Sequence, residues 1–550
     1  MHQTILKLDG AAARARHAAQ CLDALSIGLL ALIAVIAART FRDYGLGWDD
    51  YTHSQYGQLL VSLYSSNFSD QRALSFVNLY MYGGGFDLIA TLAAKIVPFD
   101  LFATRRLVGA AIGIVGLFVT WRLGRRVGGP LAGFVALALL AACPLYYGHM
   151  FINAKDGPFA MTNALALLGI LRAFDEYPYA TPPTVALCGI GMGLAIGTRV
   201  LGGFTFLDAL LPLVLTLGLG MRRCGLERAV SEWGRFLVAF IPAVVLAYLV
   251  MGLVWPWGVA SPLNPLHAIE YFSKFFEKPW RELFAGHLLL VTEMPRDYVP
   301  VLIALKIPVL MLAAGLTGIA AALTGVFSRN TSVGRRAILL ALVLAATLPV
   351  LVTVATRPGM YNGIRHFVFL TPPFAVLGGL AVTWIAPRIA GYGRTAVAIG
   401  ILIFAAGVAS PIVAMARLHP YQYTYYNILA GGPAGARPNF MLDYWGLSLT
   451  QASRDLLAFL IEHGESSPAG RPWAVAVCGP HPPVNVALGP QFVTTWDPKG
   501  ADFALTLGEY YCAKLDAPLL FQVVRDGVVY ARVYDIRGQS ISSLLVVPGL

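Results

Sequence analysis

The chain has 550 residues, 57% of them hydrophobic and only 13% charged. Soluble domains carry about 25% charged residues, so this balance excludes an ordinary soluble enzyme and points to a membrane protein. The formal net charge of +11 is spread between apolar runs rather than gathered in one patch, which is how topology signals are distributed, and nucleic acid is not an expected partner.

Lys7, Arg14 and Arg16 precede the first apolar run, Cys21–Ala38. That run is too long for a signal-peptide core and lacks a small-residue cleavage site, so it reads as a retained helix. About eleven runs approach the length that crosses a bilayer, roughly 20 residues. They are Cys21–Ala38, Thr104–Leu123, Leu131–Tyr147, Pro158–Ala173, Thr184–Thr198, Phe204–Gly220, Phe236–Trp255, Val301–Val326, Ala337–Ala355, Phe367–Ile385 and Thr395–Met415. Every second connection holds arginines: Arg14/Arg16, Arg122/Arg125/Arg126, Arg172, Arg222/Arg223/Arg228, Arg329/Arg335/Arg336 and Arg388/Arg394. The positive-inside rule places these in the cytoplasm, so the chain reads as N-in and C-out.

The outward side then carries a long first loop (Thr40–Ala103), Asn153-Ala154-Lys155-Asp156, a turn at Arg199, the loop Pro256–Pro300, the loop Arg357–Arg365 and the tail from His419. Within the first loop, Thr52–Leu63 and Phe86–Ile96 read as interfacial helices. Tyr146, Tyr147, Trp255, Trp257 and Tyr298 fall near the outer span ends and read as an interfacial aromatic belt. The membrane domain covers residues 1–420 and an aromatic-rich connector 421–448. A small extracytoplasmic α/β domain follows over 449–550, with a helix at Leu449–His463 and strands at Trp473–Cys478, Gln491–Thr495, Asp502–Leu507, Phe521–Val524 and Val528–Val533. Arg525-Asp526-Gly527 marks a hairpin. Cys478 and Cys512 both lie in this domain, and their spacing leaves a disulfide and two free thiols equally open.

No internal repeat is evident, which weighs against an inverted-repeat transporter. Gly83-Gly84-Gly85 lacks the strand–turn–helix context of a phosphate loop, and no paired-cysteine zinc motif is present. Chemistry is concentrated instead in outward charges. Trp48-Asp49-Asp50 places two carboxylates just after the first span. Adjacent residues do not share a helix face, so the two acids do different jobs. One suits a helix cap, the other a general base or cation-stabilising carboxylate. Asp156 lies on the same side just before the fourth span, as a second site acid or as another cap. Arg105, Arg106, Lys155, Arg199, Arg357, Arg365 and His366 run against the positive-inside bias. An anionic head group explains them, as does snorkelling or pairing with outer acids. His419-Pro420-Tyr421-Gln422-Tyr423, Tyr425-Tyr426-Asn427 and Asp443-Tyr444-Trp445-Gly446 suit sugar contact, and equally a domain resting on the interface.

Trp48-Asp49-Asp50 with Tyr56-Gly57 behind it, Lys155-Asp156, and Arg365-His366-Phe367 entering a late span resemble the polyprenyl-phosphate-dependent glycosyltransferases of the GT-C fold. Relatives in that family include protein O-mannosyltransferases and lipid A aminoarabinose transferases. The resemblance runs from about Leu22 to Pro420. The family commonly has Asp-Glu in the first loop where this chain has Asp-Asp, so the catalytic role passes to Asp49, with Asp50 as a supporting acid. The resemblance implies a polytopic α-helical membrane protein that moves a sugar from a polyprenyl-phosphate donor to an acceptor hydroxyl by a single inverting displacement. Asp49 is then the base, Asp156 assists, and Arg365, Arg199, Lys155, Arg106 and His366 hold the donor phosphate. Tyr56, His419, Tyr421, Asp443 and Tyr444 are candidates for acceptor or sugar contact, and Tyr146 and Phe151 are either a prenyl cradle or core. A divalent metal (Mg, Mn or Zn) is a candidate cofactor, with Asp49 and Asp156 as its ligands. The implied partners are the lipid bilayer and a glycolipid, glycan or protein acceptor. The implied setting is a monomer in a bacterial inner membrane with its site on the periplasmic side. The residues alone leave two alternatives: a transporter or flippase of an anionic lipid or glycan, and a multispan scaffold acting through its C-terminal domain.

Overall fold

The structure is a computed structural model that describes residues 2–274 and 279–546, with the side chains of 2–12, 14 and 15 outside the described set. Lys7 and Arg14, read above as topology signals, therefore lie outside it, as do the last residues of the expected C-terminal domain, 547–550.

Among the described residues, nine helices are long and apolar enough to cross a membrane, and Pro182–Thr198 is a shorter apolar helix. The first expected run lies on α1 (His2–Thr40). The second and third share α4 (Leu101–Ala141), which breaks at Gly129 (φ 80°) and Pro130. Glycine tolerates the positive φ, and proline has no N–H to continue the ladder. The third run stops at Ala141 rather than Tyr147, because Pro144 starts a separate helix, α5 (Pro144–Ile152). The next two runs are α6 (Asp156–Asp175) and α7 (Pro182–Thr198). The expected span Val301–Val326 is divided. Pro308 holds Ile307 extended (ψ 137°), separating the helix Tyr298–Lys306 from Val309–Phe327.

The first loop holds the two expected helices, α2 (Asp50–Ser65) and α3 (Gly85–Ala93). Tyr56, Leu60 and Leu63 of α2 face inward and form a small core with Ala73 and Leu79. The aromatic belt is corrected at three positions. Tyr146, Trp255 and Tyr298 are buried, and the polar tip of each has a protein partner. Tyr146 donates to the Gly113 carbonyl at 2.7 Å, Trp255 to the Tyr80 carbonyl at 2.9 Å, and Tyr298 to Glu282 at 3.1 Å. An aromatic with a satisfied tip needs no water interface. Phe151 is likewise core, stacked on Tyr44 at 4.0 Å.

The loop 256–300 contains an unexpected antiparallel hairpin, β1 (Arg281–Phe284) with β2 (His287–Leu290). It turns through Ala285 (φ 50°) and Gly286 (φ 82°), and alanine is not a residue that announces such a turn. The C-terminal domain is a five-stranded sheet of β3 (Trp473–Cys478), β4 (Phe492–Thr495), β5 (Phe503–Leu507), β6 (Leu519–Arg525) and β7 (Val528–Asp535). Its order is β4-β3-β5-β7-β6. β3 pairs in parallel with β4 and β5, and the β5–β7 and β6–β7 pairs are antiparallel. Asp526 and Gly527 both have positive φ, as the hairpin signal requires. Cys478, at the end of β3, is disulfide-bonded to Cys512.

The connector is packed rather than exposed. Tyr421, Tyr423, Tyr426, Asp443 and Tyr444 are all buried. Asp443 accepts from the Ser448 hydroxyl (2.5 Å), the amides of Leu447 (3.0 Å) and Ser448 (3.1 Å), and the Tyr423 hydroxyl. Glu509, just past β5, accepts from the amides of Leu442 (3.1 Å) and Asp443 (2.6 Å). This joint links the membrane domain to the sheet. Burial pushes the Glu509 carboxyl up to about 7, further raised by neighbouring Asp443, whose own carboxyl burial pushes up to about 6.

An acid whose pKa is raised on folding stabilises the fold below its unfolded pKa, and that contribution is lost as pH rises through the folded value. Relative to Glu509→Gln, the parent protein is therefore expected to lose thermal stability between pH 5 and 8. Melting temperatures of the two proteins in detergent, compared across that range, check this.

Candidate active site

The two adjacent acids separate at the start of α2. Asp50 turns into the protein, where Arg106 of α4 grips it with two bonds, 2.8 Å to Oδ1 and 2.6 Å to Oδ2. The Gly47 amide donates to the same carboxylate at 2.8 Å, and Arg106 also donates to the Gly45 carbonyl at 2.6 Å. A helix rotates its side chains by about 100° per residue, so pinning Asp50 inward aims Asp49 elsewhere. Asp49 makes no side-chain capping bond. It lines a cavity of about 670 Å³ set between the first loop, the turn before α6, the Arg365 loop and the C-terminal domain. Its side chain is 38% exposed to that cavity, against 5% for Asp50.

Two cations face Asp49. Lys155 Nζ lies 3.6 Å and an Arg365 guanidinium nitrogen 3.7 Å from its Oδ2. Burial pushes the Asp49 pKa up, but Lys155, Arg365 and His53 together outweigh it and hold the carboxyl at about 2. Arg365 lies over the rings of Trp445 (4.8 Å) and Tyr361 (5.0 Å), and Lys155 over Tyr82 (4.7 Å). Glu282 of β1 fixes the Arg365 loop by accepting from the amides of Asn362 (2.6 Å) and Gly363 (3.3 Å).

Of the residues singled out in the sequence, Asp49, Lys155, Arg365 and Tyr444 meet at this cavity. Asp156 does not line it. It is buried against Arg199 at 2.6 Å and accepts from the Asn153 amide at 2.7 Å. Asn153 also contacts His149 (3.2 Å), and His149 contacts the Tyr444 hydroxyl (3.0 Å). Asp156 thus reaches the cavity only through other side chains, as a positioning residue.

Several expectations are corrected. Arg106 is spent on Asp50, and Arg199 on Asp156, so neither is a free phosphate ligand at the cavity. His366 packs against Tyr361 at 4.9 Å, outside the lining. Tyr56 is buried in the first-loop core. His419 bonds Asp43 (2.8 Å) and Gln422 (3.0 Å), fastening the chain after α1 to the connector. Tyr421 donates to Gln451 (2.8 Å) under the Arg525 guanidinium, and Asp443 is the connector's buried acceptor. None of these four lines the cavity.

The sequence reasoning missed His53. It lines the cavity one helical turn after Asp49, and four residues is the spacing that puts two side chains on one face. Its Nδ1 lies 2.7 Å from Asp87 of α3, which Arg105 of α4 holds at 2.6 Å. Asp87 carries no local signal, since it becomes relevant only through the docking of α3 on α2.

A resident metal does not fit the donors present. Among the described residues, no group of three or more His, Cys, Asp or Glu is arranged to hold one. The two expected ligands also fail to converge, because Asp49 faces two cations and Asp156 is buried against Arg199.

Residues 85–255 match the family model described as dolichyl-phosphate-mannose-protein mannosyltransferase. That stretch includes Lys155 and Asp156 but neither Asp49 nor Arg365. Among solved structures, ArnT from Cupriavidus metallidurans, bound to undecaprenyl phosphate, is similar over 94% of this chain and 99% of its own, at 15% identity and a TM-score of 0.50. The chain has the GT-C fold. The oligosaccharyltransferase AglB from Archaeoglobus fulgidus, in complex with an inhibitory peptide and a dolichol-phosphate, is similar over 95% of this chain and 75% of its own, at 13% identity and a TM-score of 0.48. No curated protein matches the chain.

Within this GT-C chain the two first-loop acids are expected to respond unequally to removal. Asp50→Ala leaves Arg106 buried and uncompensated and should cost about 3–5 kcal/mol of stability. Asp49→Ala removes a carboxylate open to the cavity whose ion pairs are looser, 3.6 and 3.7 Å, and should lower the melting temperature less than Asp50→Ala does. Thermal unfolding of both variants in detergent checks the contrast.

Proposed function

We propose that this protein is a membrane glycosyltransferase that moves a hexosyl or pentosyl unit from a polyprenyl-phosphate donor to a hydroxyl of a glycolipid, glycan or protein. In this reading it works as a monomer in a bacterial inner membrane, with the cavity on the periplasmic side. The observation that carries the reading is one exposed carboxylate, Asp49, faced by two cations, Lys155 and Arg365, at the wall of a large cavity in a GT-C fold.

A polyprenyl-phosphate sugar is already activated, so the protein needs to position it and stabilise charge. Lys155 and Arg365 bind the donor phosphate, the guanidinium by its planar fork. The same phosphate charge offsets the field that depresses Asp49, which raises the carboxyl's affinity for a proton once donor is bound. The acceptor oxygen then attacks the anomeric carbon and its proton passes to Asp49. The bond from that carbon to the phosphate oxygen breaks, and its electron pair leaves on the phosphate, where Lys155 and Arg365 stabilise it. One displacement inverts the anomeric centre. His53, held by Asp87, lines the cavity one helical turn from Asp49. A flippase that breaks no bond would leave the Asp49–His53–Asp87 arrangement without a task.

Asp49→Asn is expected to lower the transfer rate by ~100- to 10,000-fold, the usual worth of a general base, while the variant stays folded by thermal unfolding. Lys155→Ala and Arg365→Ala should raise the KM for donor more than Asp49→Asn does. A reconstituted assay with a radiolabelled lipid-phosphate sugar reads all three. Full transfer by Asp49→Asn would remove Asp49 from the role of base.

A further inference from the structure

The cavity is lined by two unlike sets of side chains. One is charged or polar: Asp49, Lys155, Arg365 and His53. The other is aromatic: Trp48 from the first loop, Trp280 just before β1, and Trp496 with Tyr510 and Tyr511 from the C-terminal domain. The three tryptophans are 42%, 38% and 54% exposed. All three line the cavity, a placement that anchoring at a bilayer surface does not require. Polar groups are interleaved with them, namely the amides of Asn78 and Asn362 and the guanidinium of Arg281.

This wall is built rather than loose. The Tyr510 hydroxyl donates to the Arg281 carbonyl at 2.7 Å, which ties the C-terminal domain to the β1–β2 hairpin. Tyr511 lies between two anchors: its carbonyl accepts from Val546 at 2.9 Å, and the next residue is the disulfide-bonded Cys512. Trp496 rests on His481 at 4.4 Å. Trp280 meets Tyr361 edge-on at 5.1 Å, and Tyr361 lies under Arg365, so these contacts connect Trp280 to a cation beside Asp49.

We propose that this aromatic wall is an acceptor subsite for a saccharide, in which Trp48, Trp280 and Trp496 take the apolar faces of sugar rings and Asn78, Asn362 and Arg281 take their hydroxyls. The word acceptor rests on the transferase reading above, whereas binding of the saccharide does not. A pyranose presents an apolar CH face and a polar edge, which is the pairing this wall offers. An extended peptide instead brings an N–H and a C=O at every residue and needs backbone partners. The subsite gives the C-terminal domain a direct task, since it supplies one side of the wall.

The test uses the full chain in nanodiscs on a glycan array that also carries Ser/Thr peptides. The parent protein should retain a subset of the oligosaccharides. Trp280→Ala and Trp496→Ala should each weaken that retention about tenfold, the scale of losing one central interface aromatic, and Trp496→Phe should restore most of it. Melting temperatures of the variants confirm that they fold. Retention of no glycan by the parent, equal retention by the alanine variants, or retention of the peptides in place of glycans would overturn the proposal. Hydrolysis of a polyprenyl-phosphate sugar by the parent protein tests the transferase reading separately. Its absence, with glycan binding lost in the alanine variants, would remove that reading and leave the subsite standing.

Discussion

The buried pair between Arg106 and Asp50 is the constraint on which the site depends. It joins the start of α2 to α4 across the first loop, and the same guanidinium reaches the Gly45 carbonyl just upstream. With Asp50 held by two bonds and by the Gly47 amide, the neighbouring carboxylate has one direction left, toward the cavity. Removing water from a paired charge is costly, and breaking such a pair costs more than forming it contributes. That asymmetry suits a clamp, because α2 cannot rotate without exposing an uncompensated arginine.

Similar buried pairs repeat around the cavity. Arg199 holds Asp156 and Arg105 holds Asp87, and each acid in turn positions a side chain nearer the opening: Asp156 through Asn153 and His149 to Tyr444, and Asp87 directly to His53. The charges facing the cavity are spaced more loosely. Asp49 sits 3.6 and 3.7 Å from its cations, whereas the buried pairs close to 2.6 Å. A carboxylate between cations at that spacing leaves room for a phosphate to compete for them, and under the proposed function this would couple donor binding to the basicity of Asp49.

The helical membrane fold was largely legible in the sequence because hydropathy is a local signal. The expected apolar runs fall on helices, two of them broken at Cys143-Pro144 and Ile307-Pro308, and β3 has the bounds expected of it. The failures have a common cause. Tyr56, His419, Tyr421 and Asp443 are polar or aromatic residues in outward segments, and such residues look alike in sequence whether they bind a ligand or pin a loop. Arg106 and Arg199 were assigned to a phosphate because their acidic partners lie 56 and 43 positions away, beyond any local pattern. Asp49, Lys155 and Arg365, which short motifs single out, do meet at one cavity. Trp280 and Trp496 were missed because they come together only when the hairpin and the C-terminal domain fold over the cavity.

The central claim is that a lipid phosphate occupies the space between Lys155 and Arg365 with Asp49 facing the sugar it carries. A cryo-EM map of the protein in nanodiscs with a polyprenyl-phosphate sugar tests it most directly. The account predicts phosphate density within hydrogen-bonding distance of Lys155 and Arg365, and the first sugar beside Asp49. Phosphate density outside this cavity, with Lys155 and Arg365 still closed on Asp49, would contradict it.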